Sequence, residues 1–236
     1  MNRASLVFLG AFLALLLSWA ALPFGNARGY GGLAAHVDDT ENKAYPARIA
    51  GPAARGALVY ADLGCAYCHT QQVRGDADGA DVARHWGERQ SYAREYIREP
   101  RVLLGALRAG PDLRNVGARY NTADAAERLY KLLYNPAADN QTALMPQHAF
   151  LFEQRSLEGR QPSANALKVS SVRSGFELVP TERAESLVAY LLSLKDTYDY
   201  PEEKRLNTPP APKKEGSHQA SEPKPAAAKP AEAPKK

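Results

Sequence analysis

Cys65 and Cys68 are the only cysteines in the chain, and they stand in the run Cys65-Ala66-Tyr67-Cys68-His69. No disulfide framework can come from one such pair. A bond between them would close a very short loop and constrain little of the unfolded chain, so their spacing serves redox, metal or haem chemistry. The histidine that follows makes the segment C-x-x-C-H, the attachment signature of c-type haem. The two thiols would add to the two vinyl groups of one porphyrin, and the adjacent imidazole would become the proximal iron ligand. A thioredoxin-like site requires a βαβ context, and a zinc site requires a second pair of ligands. Neither pattern is present around these residues.

A six-coordinate electron-transfer haem needs a second axial ligand, and a methionine sulfur raises its potential relative to a second imidazole. Met145 is the only methionine after the initiator. It precedes Pro146, which ends helix and stiffens the loop that would present the sulfur. His148 is the rival ligand. His36, His85 and His218 read as solvated or hydrogen-bonding histidines. A metal-ligating imidazole normally donates its other N–H to an acceptor, and the carbonyl of Pro111, in Gly110-Pro111-Asp112-Leu113, is the candidate for His69. Arg74, Arg84, Trp86 and Arg89 are candidate donors to the haem propionates, which need charged or N–H partners.

The elements that must position these residues follow from patterning. The chain has 236 residues and a formal charge of +4, enough for one domain with appendages. Lys213, Lys214, Lys224, Lys229, Lys235 and Lys236 outnumber Glu215, Glu222 and Glu232, so the positive excess lies in the tail. The remainder offers no basic stripe interleaved with aromatics, and a nucleic-acid partner is not expected. From Ala4 to Phe24 no residue is charged. That is about the 20 residues a helix needs to cross hydrocarbon, and residues 1–25 are expected to be a membrane anchor. Ser18-Trp19-Ala20 would also suit a signal-peptide cleavage site, but the apolar run continues past it to Phe24. Arg3 lies before the run, and Asp38, Asp39 and Glu41 lie beyond it. The positive-inside bias therefore puts the bulk of the chain on the far, non-cytoplasmic side.

Residues 26–50 lack apolar periodicity and read as an extended connector. Residues 51–200 form the expected folded domain. Ala53 to Leu63 reads as a helix with Pro52 at its start, Glu127 to Tyr134 as a second, and Thr181 to Leu194 as a third with Thr181 as N-cap. No strand alternation competes, which predicts an all-α, cytochrome c-type haem domain. The Ala/Pro/Lys-rich stretch within 201–236 is expected to be disordered.

With these residues assembled, the chain resembles the mono-haem subunit II of cbb3-type cytochrome c oxidases, the FixO/CcoO family. The resemblance rests on the run from Leu63 through Cys65, Cys68 and His69 to Gln71-Gln72-Val73-Arg74, and on Arg84-His85-Trp86-Gly87-Glu88-Arg89-Gln90-Ser91. It continues through Gly110-Pro111-Asp112-Leu113, Gly117-Ala118-Arg119, Tyr134-Asn135-Pro136 and Met145-Pro146. It implies one covalent haem c on Cys65 and Cys68, axial ligands His69 and Met145, and electron delivery to a haem-copper catalytic subunit that reduces oxygen to water. No oxygen-reducing site is implied on this chain. Further implied are a second cytochrome c subunit as partner, contact with lipid, and a single-pass place in the bacterial inner membrane with the haem domain in the periplasm. Two departures stand out: His148 occupies a position where relatives usually show an aromatic, and residues 155–177 look like an added loop. The closest rival family is the small cytochrome c subunit of nitric oxide reductase, against which the Gln71-to-Arg74 and Trp86-Gly87 blocks argue. A rival of another class is a bis-His haem sensor, which His148 would permit.

Overall fold

The computed structural model describes residues 3–201 and 203. The chain divides into Met1–Tyr200 and Pro201–Lys236; the expected disordered tail from residue 204 onwards, with His218, lies outside the described residues.

Helix α1 (Arg3–Tyr30) has 28 residues, none of them buried. At 1.5 Å per residue it is about 42 Å long, more than the roughly 30 Å of hydrocarbon in a bilayer. Its apolar stretch has a mean hydropathy of 2.3, so it is long and apolar enough to cross a membrane. It runs on through Asn26 and Arg28, which shortens the expected connector. What remains of that connector is not simply extended. Strands β1 (His36–Asp38) and β2 (Lys43–Tyr45) pair antiparallel, Val37 opposite Ala44. The turn between them is set locally: Asp38 Oδ1 accepts from the amides of Thr40 at 2.8 Å and Glu41 at 3.0 Å, and Asn42 takes a left-handed φ of 52°, a conformation asparagine tolerates.

The folded domain is built on two crossing helices, α2 (Gly51–Asp62) and α5 (Glu182–Ser193). They meet at Gly56, where a Cβ would lie 1.9 Å from the Ser186 carbonyl oxygen and 2.6 Å from Tyr190 Cβ. Only glycine permits that approach. Thr181 caps α5, its hydroxyl accepting from the Ala184 amide at 3.3 Å, as the sequence predicts. The short α3 (Val116–Arg119) and the amphipathic α4 (Ala125–Tyr134) close the core. Tyr60, Leu129, Leu133, Leu151, Leu187, Val188 and Tyr190 fill it.

The domain is mainly helical but not wholly so. Strands β3 (Phe152–Ser156) and β4 (Phe176–Pro180) pair antiparallel, Gln154 opposite Leu178. They form the stem of the segment that looks like an added loop. Residues 157–175 fold back on this stem: the Leu167 amide donates to the Leu178 carbonyl, Glu177 accepts from the Ser163 amide and hydroxyl, and Val169 and Val172 pack on the core.

Candidate functional site

Gly64, with φ +71°, ends α2 in a left-handed cap, and one turn of 3₁₀ helix, Cys65–Tyr67, follows at once. This tight turn draws the cysteines of the pair together and leads directly into His69, whose amide donates to the Cys65 carbonyl at 3.0 Å. Cys65 is half-buried and Cys68 exposed. Burial pushes the Cys65 thiol up to about 11.

A second segment, 104–113, lies along this turn and its continuation. The amide of Ala106 donates to Ala66 O, Gly110 to Cys68 O, Leu113 to Thr70 O, and that of Gln71 to Leu104 O, all at 2.8–2.9 Å. Two glycines make so close a passage possible. A Cβ on Gly105 would sit 2.1 Å from the His69 carbonyl oxygen, and one on Gly110 would sit 2.2 Å from His69 Cε1. The pairing sets Pro111 beside the imidazole: His69 Nδ1 lies 2.8 Å from the Pro111 carbonyl oxygen. A carbonyl can only accept, so Nδ1 carries the proton and Nε2 is the nitrogen with a lone pair for a metal.

Asp112, completely buried, anchors the segment. Its Oδ2 accepts from Thr70 Oγ1 at 2.6 Å and the Gln72 amide at 2.7 Å, and its Oδ1 from the Arg114 amide at 2.9 Å. Gln71, also fully buried, accepts from Tyr190 Oη at 3.0 Å through its side chain and from Tyr96 Oη at 2.7 Å through its carbonyl.

Met145 is half-buried and packs on the same core as Cys65, Ala66 and Leu113. His148 follows on a loop tied to α4 through its amide, which donates to Leu133 O at 2.9 Å. The residue is 9% exposed, its side chain interacts with the Pro146 backbone, and its Nδ1 makes no full hydrogen bond among the described residues. Burial pushes its pKa below the usual histidine range.

The residues expected to meet propionates take different places. Arg74 is exposed and its amide donates to Asp81 at 2.7 Å. Trp86 is half-buried, with the Arg84 guanidinium 5.1 Å and the Arg108 guanidinium 5.8 Å from its ring centre. Arg89 pairs with buried Glu95, donates to the Tyr198 carbonyl and lies 4.4 Å over the Tyr92 ring. Arg119 is a further guanidinium at the site: it donates to Trp86 O at 3.0 Å and to Asp112 O at 2.6 Å, and has no ion-pair partner among the described residues. Burial lowers its pKa. Of these polar residues, Asp112 and Arg119 were not singled out from sequence by role, although both lie in blocks that carry the resemblance. A charged residue directly after the candidate Pro111 was the available signal for Asp112.

The pieces fit a haem in this structure: a histidine with one nitrogen held and the other available, flanked by glycine where a side chain would collide, beside paired thiols. Apolar Leu107, Leu144 and Phe150, at 63%, 85% and 65% exposure, flank Pro111 and Met145 in sequence and suit contact with a porphyrin face. An apolar N-terminal helix thus precedes a small, mainly helical domain that carries this C-x-x-C-H turn, an arrangement that suits a single-haem protein. Residues 44–197 match the family described as cytochrome C oxidase, mono-heme subunit/FixO, and the chain belongs to that family. No curated protein matches the chain.

Proposed function

We propose that this chain is the membrane-anchored mono-haem c-type cytochrome subunit of a cbb3-type oxidase, passing electrons to the haem-copper subunit where oxygen is reduced to water. In this reading Cys65 and Cys68 hold the porphyrin through thioethers, and His69 Nε2 and the Met145 sulfur are the axial ligands. The observation that carries it is the 2.8 Å contact of His69 Nδ1 with Pro111 O. That contact fixes the tautomer and the ring plane and makes the imidazole a better donor to a metal. Haem, when bound, supplies a one-electron carrier between its ferric and ferrous states.

The protein's own groups do the rest. The paired segments 66–71 and 104–113 keep the imidazole rigid, so little reorganisation accompanies a change of charge. Arg119 and the indole N–H of Trp86 are donors for the propionates, and the exposed Arg74 is a further one; Arg89 supports the site through Glu95. The helix α1 anchors the domain in the inner membrane, and the charge pattern around it favours the periplasmic side. Partners are the catalytic subunit, a further cytochrome c subunit and lipid.

Acid-acetone extraction tests the covalent haem: colour must stay with the polypeptide, and complete loss of haem from the wild-type chain ends this reading. Purifying the chain with its natural partners tests the complex. A haem-copper oxidase subunit must co-purify; a partner that reduces nitric oxide overturns the assignment.

A further inference from the structure

Asp112 bonds to both sides of the proximal ligand. Its own main chain follows Pro111, whose carbonyl meets His69, and its carboxylate accepts from the hydroxyl of Thr70, the residue after His69. Both bonds are short, at 2.8 and 2.6 Å. The Gln72 and Arg114 amides occupy the other acceptor positions of the carboxylate at 2.7 and 2.9 Å, and Arg108 stands 3.9 Å away. One side chain with no exposed surface thus ties the His69 segment to the Pro111 segment within one residue of each.

We infer that Asp112 is a positioning residue for His69: it holds the Pro111 carbonyl on Nδ1 and so keeps the reduction potential of the iron lower than an unrestrained imidazole would. The inference rests on the reading of His69 as proximal ligand. The physical chain is short. A firm acceptor at Nδ1 increases electron donation from Nε2, which stabilises the more positive ferric state. The carboxylate charge acts in the same direction, since a buried negative charge near the iron also favours ferric haem.

Position and charge are separable because Thr70 carries no charge. Thr70→Val removes one bond of the clamp and leaves the carboxylate in place; Thr70→Ser keeps the hydroxyl. Asp112→Asn removes the charge and puts an amide NH₂ where one of three donors must be accepted.

The measurements are a redox titration and the exchange rate of the hyperfine-shifted His69 Nδ1 proton in the ferric, full-length protein in detergent. Expected for Thr70→Val are an upward shift in potential and about tenfold faster proton exchange, the equivalent of one hydrogen bond of about 1.4 kcal/mol. Thr70→Ser should match wild type in both, and Asp112→Asn should exceed Thr70→Val in both. If Thr70→Val is unchanged while Asp112→Asn shifts the potential alone, Asp112 acts only through its charge and the positioning role is wrong. If neither variant moves either quantity, the inference also fails. Failure of the haem assignment itself shows differently, as haem lost on acid-acetone extraction.

Discussion

Tyr45 and Tyr198 stack face to face, with ring centroids 3.9 Å apart and planes 7° from parallel. One ends the hairpin that follows α1, the other lies beyond α5. Around them Tyr198 Oη donates to Asp38 Oδ2 at 2.8 Å, Tyr45 Oη to Glu41 at 2.7 Å, and buried Tyr200 meets Tyr92 and Tyr198 edge-on. The connector is therefore fastened to the domain rather than hanging from it.

Tyr198→Ala should unfasten it. The stack is worth about 1 kcal/mol beyond its buried area, and the Asp38 bond is lost with it, so the open population should rise on the order of tenfold. Trypsin cleavage at exposed Arg48 in the folded protein reports this directly. A cleavage rate equal to wild type would mean that the clamp does not hold the connector.

Gly110→Ala probes the close approach of the backbone to the imidazole. The added Cβ would meet His69 Cε1 at 2.2 Å, which neither ring nor backbone can tolerate in place. A loss of about 1–3 kcal/mol is expected, with reduced haem per polypeptide in a pyridine haemochrome assay. Gly32→Ala, whose Cβ meets nothing within 4 Å, is the control and should be neutral. Equal haem content in the two variants would show that the imidazole does not need this gap.

The axial ligand is decided by a pair of substitutions. Met145→Ala should abolish the far-red sulfur-to-iron band and lower the potential on the order of 100–200 mV, within the roughly 0.8 V that axial ligands span. His148→Ala should leave both nearly intact. The opposite pattern establishes bis-His ligation, for which the buried His148 ring, its Nδ1 without a full hydrogen bond among the described residues, is the structural ground.

Much of the site was legible because its signals are local. The C-x-x-C-H run, Thr181 as a cap and Pro111 beside a glycine each declare a conformation within a few residues. The hairpins were not legible, since β1 and β2 have three residues each and no alternation can be read over so short a run. The clamp was hidden for another reason: Tyr45 and Tyr198 are distant in sequence, and nothing local says which aromatics will stack. Arg89 is the same case. As a guanidinium near Trp86 it looks available for a propionate, and only the fold brings Glu95 and the Tyr198 carbonyl to it. Leu167, Val169 and Val172 likewise give the 155–177 segment a packed underside that its polar composition conceals.

The buried charges next to the clamp predict a pH dependence of stability. Arg114, 1% exposed, faces Glu95 at 3.4 Å, Asp196 at 2.7 Å, and Glu99, while Arg89 takes the other side of Glu95. Three carboxylates thus share two guanidiniums, and one is left under-compensated. Burial pushes the Asp196 carboxyl up to about 7, against the pull of Arg114. Its pKa in the native state is therefore above that in the unfolded chain, where an aspartate titrates near 4. Between those values the native Asp196 binds more protons than the unfolded one, so its contribution to stability falls as pH rises from about 4 to 7. The fall attributable to Asp196 should be on the order of 4 kcal/mol, at about 1.4 kcal/mol for each pH unit between the two pKa values. Asp196→Asn cannot ionise and should flatten the profile over that range. Removing the cation instead, with Arg114→Met, leaves Glu99 and Asp196 without their guanidinium and Glu95 with Arg89 alone, and should destabilise by about 3–5 kcal/mol at pH 7, with a slope steeper than wild type. Urea unfolding at a series of pH values measures all three proteins, and an Asp196→Asn profile that declines as steeply as wild type would place the titrating group elsewhere in the cluster.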